Sequence, residues 1–125
     1  MKHQEITVLY RWTANPGKAE ELKAIYEQVT KKMQEKEPGA LKVVCFFDEK
    51  ANALLVQDVF ENAAALGFHL SVTAAGHFPA LTQVAIPGPF FFCGEVPEEL
   101  QQAAIGMGLD AVFASRITGF ERVAV

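Results

Sequence analysis

Hydrophobic spacing changes period along this chain, and the order of the changes leaves few folds open. Ile6, Val8, Tyr10 and Trp12 share one face of a period-two run, with Thr7, Leu9 and Arg11 on the other. From Ala19, apolar residues recur at Leu22, Ile25, Tyr26, Val29 and Met33, which is the stripe of a helix. Ala40 to Phe47 and Ala53 to Phe60 return to strand character, joined by the polar turn Asp48 to Asn52. Ala63 to Leu70 reads as a second helix, broken at Gly76 and resumed from His77 to Val84. Phe90 to Val96 makes a fourth strand. The order βαββαβ predicts an α+β fold of the ferredoxin-like type, with two helices on one face of an antiparallel sheet.

Local signals place the boundaries. Asn15-Pro16-Gly17 predicts an Asn cap ahead of the first helix. Glu20, Glu21 and Glu27 lie early in that helix and Lys31, Lys32 and Lys36 late, which suits its dipole. Glu37-Pro38-Gly39 ends it, Asn62 caps the second helix, and Pro87-Gly88-Pro89 is a rigid turn. Beyond Pro97, Leu100, Ala103, Ala104 and Met107 predict a further helix, and a last strand is expected near Thr118 to Val125. The chain reads as one domain over residues 1–125, with 97–125 as a C-terminal extension.

Composition enters chiefly as exclusion. A formal charge of −4 over 125 residues argues against nucleic acid as a partner, because phosphate binding calls for a basic face. No apolar run approaches the roughly twenty residues that cross a bilayer, so no membrane association is expected. The opening MKHQEITVLY lacks a signal-peptide layout, which favours the cytoplasm. Cys45 and Cys93 sit in apolar runs and read as small core residues. Their spacing fits no zinc pattern, and no phosphate-binding or serine-hydrolase motif is present.

Phe90, Phe91 and Phe92 cannot share a face of one strand, so the sheet carries aromatic surface on both sides. One apolar face is covered by helices. A second calls for another sheet, and so for a homodimer.

The stretch from Leu54 to Val84 gathers the groups able to do chemistry. His69 ends an apolar helical segment: it is either a base in a pocket or a cap on the helix C-terminus. His77, after Gly76, is either a second polar wall or a solvated loop residue. His3 stands apart near the terminus. Asp58 shares a strand face with Leu54, Val56 and Phe60, and a carboxylate there needs a partner. It either orients a histidine or pairs with Arg11 on the adjacent strand, and the residues favour the ion pair. Two histidines and one aspartate could also form a metal triad, but nothing in their spacing fixes that geometry. Tyr10, Trp12, Phe60, Phe68 and Phe78 supply aromatic wall for a small apolar ligand, or simply core.

Three pieces carry a family resemblance: NPGKAEEL at the first helix, EPGAL before the second strand, and LVQDVFENAAALGFHL followed by GHFPAL. With them the chain resembles the antibiotic biosynthesis monooxygenase-like proteins of the dimeric α+β barrel superfamily, over about Glu5 to Val96. That family shows a strand carboxylate, an alanine-rich short helix ending in His, and a second His before an aromatic; these fall at Asp58, His69 and His77-Phe78. The carboxylate is commonly Glu, so Asp58 is one methylene shorter. The resemblance implies a homodimer with a pocket between sheet and helices in each subunit. It also implies oxygenation of a small aromatic or quinol-like substrate without metal, flavin or other cofactor. On that reading His69 is the base, Asp58 or His77 assists, and Tyr10, Trp12, Phe60, Phe68 and Phe78 bind the ring. The alternative is a non-catalytic small-molecule binding or stress-response dimer. Haem-degrading relatives use an Asn on the first strand, a Trp near the second helix and a later iron-binding His. Here the first position is Tyr10, the only Trp is Trp12, and no His lies near Leu81 and Thr82, so haem degradation is not expected.

Overall fold

The alternating run at the N-terminus becomes the central strand. In the computed structural model, which describes residues 4–122, β1 (Ile6–Ala14) lies between β3 (Ala53–Phe60) and two strands on its other side, β4 (Ala85–Pro87) and β5 (Phe90–Cys93). All three pair with it antiparallel. β2 (Ala40–Asp48) flanks β3 antiparallel, and β6 (Ala111–Ala114) flanks β5 in parallel. The order β2-β3-β1-β5 is the ferredoxin-like sheet, extended at one edge by β6. Register sets the inner face: Ile6 lies opposite Phe60, Val8 opposite Asp58, Tyr10 opposite Val56 and Trp12 opposite Leu54, all buried.

Helices cover that face. α1 (Ala19–Lys36) buries Leu22, Tyr26, Val29 and Met33, one stripe at helical spacing, against the sheet. It starts without the expected cap. Asn15 instead accepts the Lys18 N–H with its carbonyl at 2.9 Å, closing a turn through Gly17, whose φ is +77°. α2 (Ala63–Phe68) has the expected one: the Asn62 side chain accepts the Ala65 N–H at 2.9 Å.

The predicted break at Gly76 does not occur. α2 passes through a π-helical segment, His69–Ala74, directly into α3 (Ala75–Val84), so His77 belongs to a helix and not to a loop. Glycine costs about 1 kcal/mol in a helix, and burial of Leu70, Thr73, Leu81 and Val84 on either side of Gly76 outweighs it.

The chain end also differs from expectation. α4 (Glu98–Gly106) forms and stops at Met107 as predicted. The last strand, however, is β6, while residues 118–122 are irregular and 123–125 lie outside the described residues, as does His3. Phe113 explains the shift, since it stacks on Phe92 at 5.2 Å and anchors β6 in register with β5. β5 is shorter than predicted because the chain turns at Gly94, with φ +133°.

Phe90 and Phe92 are buried while Phe91 is 43% exposed, as the alternation requires. Leu9, Phe46, Leu55 and Val112 are exposed on the same outer face as Phe91, leaving one side of the sheet apolar and uncovered. The cysteines are not in the core. Both are free and half-buried; Cys45 packs at the core margin, and Cys93 pairs with Thr7 on the outer-facing row. No described helix is long and apolar enough to cross a membrane.

Candidate active-site cavity

Between the inner sheet face and the helices lies a cavity of about 40 Å³. Its walls include Tyr10, Trp12, Asp58, Phe60, His69, His77 and Phe78. Volume on this scale admits a few water molecules, so a substrate ring enters only as side chains give way. Phe68 is the exception among the expected aromatics: it is exposed and outside the cavity, because it points off the opposite side of α2 from buried Leu66. The walls are ordered by ring contacts. Tyr10 stacks on Phe90 at 4.5 Å, Trp12 meets Phe78 edge-on at 5.6 Å, and Phe60 lies 5.1 Å from the His69 ring.

Two polar groups interrupt this apolar surface. The first centres on His69, which is buried on the π-helical segment. Its Nδ1 is 3.1 Å from Oε2 of Glu37, the residue closing α1. The Thr73 hydroxyl donates to the same oxygen. Glu37 is 4% exposed and Thr73 fully buried. Burial pushes the Glu37 carboxyl up, but its bonds to His69 and Thr73 outweigh this and hold it below the usual range.

The second group is a chain of three side chains. Tyr26 donates to the Tyr10 hydroxyl at 2.9 Å, and Tyr10 donates to Asp58 Oδ2 at 2.8 Å. Asp58 is 2% exposed and its Oδ1 is buried without a hydrogen-bond partner. Burial pushes its carboxyl up to about 6, against the lowering effects of His69 and the Tyr10 hydroxyl. Burial likewise raises both tyrosines. Trp12 Nε1 approaches the Tyr26 hydroxyl without reaching hydrogen-bond geometry and is also unpartnered.

Neither expected partner of Asp58 is its partner. Arg11 points to the outer face opposite Leu55, since side chains alternate along β1. Asp58 is bonded to Tyr10, and it is Glu37 that contacts His69. His77 is half-buried in the cavity wall, its pKa lowered by burial and by Lys32 and His69 nearby. Among the described residues, no group of three His, Cys, Asp or Glu is placed to hold a metal ion.

Sequence reading missed Glu37, Thr73 and Tyr26. Tyr26 was legible only as one more residue of the α1 stripe. Glu37 carried a usable signal: an acid at the end of a helix is disfavoured by the dipole, and this one follows a lysine-rich turn.

The sequence model of the antibiotic biosynthesis monooxygenase family matches residues 5–80, which runs from β1 to the first part of α3 and takes in His77 and Phe78. The chain belongs to that family. Among solved structures, MupZ from Pseudomonas fluorescens is similar at 21% identity with a TM-score of 0.79, covering 96% of this chain and 91% of its own. A conserved protein from Methanosarcina mazei gives 16% identity and a TM-score of 0.64, covering 73% of this chain and 92% of its own. SnoaB, a cofactor-independent oxygenase from Streptomyces nogalater, gives 18% identity and a TM-score of 0.63, covering 71% and 90%. At these identities the likeness is one of fold. No curated protein matches the chain.

What the cavity can do follows from its groups. It offers one imidazole whose Nδ1 is occupied, a buried carboxylate beside it, and aromatic walls that keep water scarce. That set suits taking a proton from a weakly acidic ligand in an apolar setting.

Proposed function

We propose that this antibiotic biosynthesis monooxygenase family member is a cofactor-independent monooxygenase acting on a small aromatic or quinol-like molecule. The observation that carries the reading is His69, held through Nδ1 by a buried carboxylate in a largely apolar cavity. In this reading His69 takes a proton from the substrate's activated C–H or hydroxyl group. The substrate anion then adds dioxygen at carbon and becomes a hydroperoxide on taking up a proton. Loss of water leaves a carbonyl, so one oxygen atom enters the product, the other leaves as water, and the substrate supplies all the electrons. Asp58 assists by placing negative charge near the imidazolium, and His77 forms the second polar wall. Tyr10, Trp12, Phe60 and Phe78 hold the ring.

The same reading takes the protein as a homodimer, its outer sheet faces packed together and each cavity on the far side of its own sheet. Support comes from the apolar row of Leu9, Phe46, Leu55, Phe91 and Val112.

The test is oxygen uptake with a panel of small quinols and anthrones, in parent and His69→Ala protein. Turnover that survives the substitution removes His69 as the base. The small cavity favours one second reading, a binding domain without turnover. A quinol that raises the melting temperature by mass action but yields no product in air would support it.

A further inference from the structure

We propose that Glu37 and Thr73 are positioning residues that fix the His69 tautomer, holding the proton on Nδ1 so that the Nε2 lone pair is the one available to the cavity. The inference deepens the reading of His69 as the base and rests on it for its catalytic meaning.

The argument is one of donors and acceptors. Glu37 Oε2 receives the Thr73 hydroxyl and lies 3.1 Å from His69 Nδ1. An ionised carboxylate only accepts, so a ring nitrogen facing it must donate. His69 makes no other side-chain hydrogen bond among the described residues, so Nε2 is left for a ligand. The neutral side chain of an unconstrained histidine prefers its proton on Nε2, and a base built on Nε2 therefore needs a group that reverses this preference.

The location of Glu37 supports the assignment. It sits at the C-terminal end of α1, where a negative charge is disfavoured, and it is 4% exposed. A carboxylate is stable there only if its donors are supplied by the fold. Both known donors come from the π-helical segment His69–Ala74, a wide turn of the sort often found at functional sites. Thr73, fully buried, spends its hydroxyl on orienting the carboxylate. The other charged or titratable groups around His69 are Asp58 from β3, His77 from α3 and Lys32 of α1. None of them makes a hydrogen bond to its ring among the described residues, so Glu37 alone is placed to choose the tautomer.

The experiment is long-range ¹H–¹⁵N NMR of the histidine ring in the full chain, recorded at a pH well above the ordinary imidazole range so that the neutral form is read. The parent is expected to show Nδ1–H and an unprotonated Nε2. Glu37→Gln, whose amide oxygen still accepts, is expected to keep that pattern. Glu37→Leu, which cannot accept, is expected to move the proton to Nε2, and Thr73→Val to give a measurable Nε2–H fraction. A parent spectrum with Nε2–H overturns the proposal, and so does a Glu37→Leu spectrum identical to the parent's. An unchanged Thr73→Val spectrum overturns the part assigned to Thr73. If Glu37→Leu does not fold, the parent and Thr73→Val spectra still decide. No substrate is involved, so a protein inert towards quinols yet showing Nδ1–H would lose the monooxygenase reading and keep the positioning of His69.

Discussion

Tyr10 and Asp58 stand on paired strands and are joined, Oη to Oδ2, at 2.8 Å, with Asp58 only 2% exposed. The pair is diagonal in register, since Val8 lies opposite Asp58 and Tyr10 lies opposite Val56. Tyr26 extends the chain from α1, so sheet and helix meet through hydroxyl groups in an otherwise apolar layer. A single neutralised carboxylate would fit this place better than a charged one, which sets the first prediction.

Asp58 has a folded-state pKa of about 6 against an ordinary 3.8. The shift is upward, so between these values the folded protein keeps a proton that the unfolded chain has lost. Stability from this group is therefore greatest at low pH and falls as pH rises from 4 to 6. By pH 7 the loss is about 3 kcal/mol. Asp58→Asn cannot ionise yet still accepts from Tyr10. It is expected to be more stable than the parent at pH 7, with the difference vanishing near pH 4. Denaturant melts of both proteins across that range check this, and a pH-independent difference would rule out the raised carboxyl.

Tyr10→Phe and Tyr26→Phe should differ in cost. The first leaves Asp58 Oδ2 without its donor and Tyr26 without its acceptor, both in the core. That predicts a loss of roughly 3 kcal/mol. The second removes only the outer link and keeps the Tyr10–Asp58 bond, for a loss of about 1 kcal/mol. Equal losses in urea melts would show that the chain is not organised around Asp58.

How far the sequence spoke depends on how local each determinant is. β3 (Ala53–Phe60) was readable to the residue, and Asn62 was recognisable as a cap, because strand alternation and capping are short-range signals. The opposite facing of Phe91 followed from pleating alone. The continuous helix across Gly76 and the early last strand were not legible, since both are decided by burial against distant elements. The cavity was readable as a set of residue types, and His69, His77 and Asp58 do share it. Their partners were not, because Glu37 is 32 residues from His69, and Tyr10 is 48 from Asp58. Sequence spacing carries no information about such pairs.

Gly39 makes the corner between α1 and β2 possible, and through it the Glu37–His69 contact. A Cβ there would stand 2.6 Å from the Ala65 Cβ of α2, a rigid neighbour. Gly39→Ala must therefore displace α2, which carries His69 at its end, away from Glu37. The expected result is a destabilisation of about 1–3 kcal/mol, as for other overpacked sites. The His69 ring should also lose its Nδ1–H signal. A stable variant with an unchanged histidine spectrum would show that the corner tolerates the methyl.

Phe46 and Leu55 lie opposite each other on β2 and β3, 61% and 40% exposed, on the uncovered sheet face towards its β2 edge. An apolar row of this kind on a soluble monomer is a liability, and a second copy of the same face would relieve it. Phe46→Lys places a charge in that row without touching the core, so the fold should survive while the dimer does not. Sedimentation at micromolar concentration should give twice the chain mass for the parent and the single mass for the variant, with far-UV circular dichroism unchanged. A parent that sediments as a monomer would mean that this face is covered by something other than a second copy, and would remove the homodimer from the functional reading.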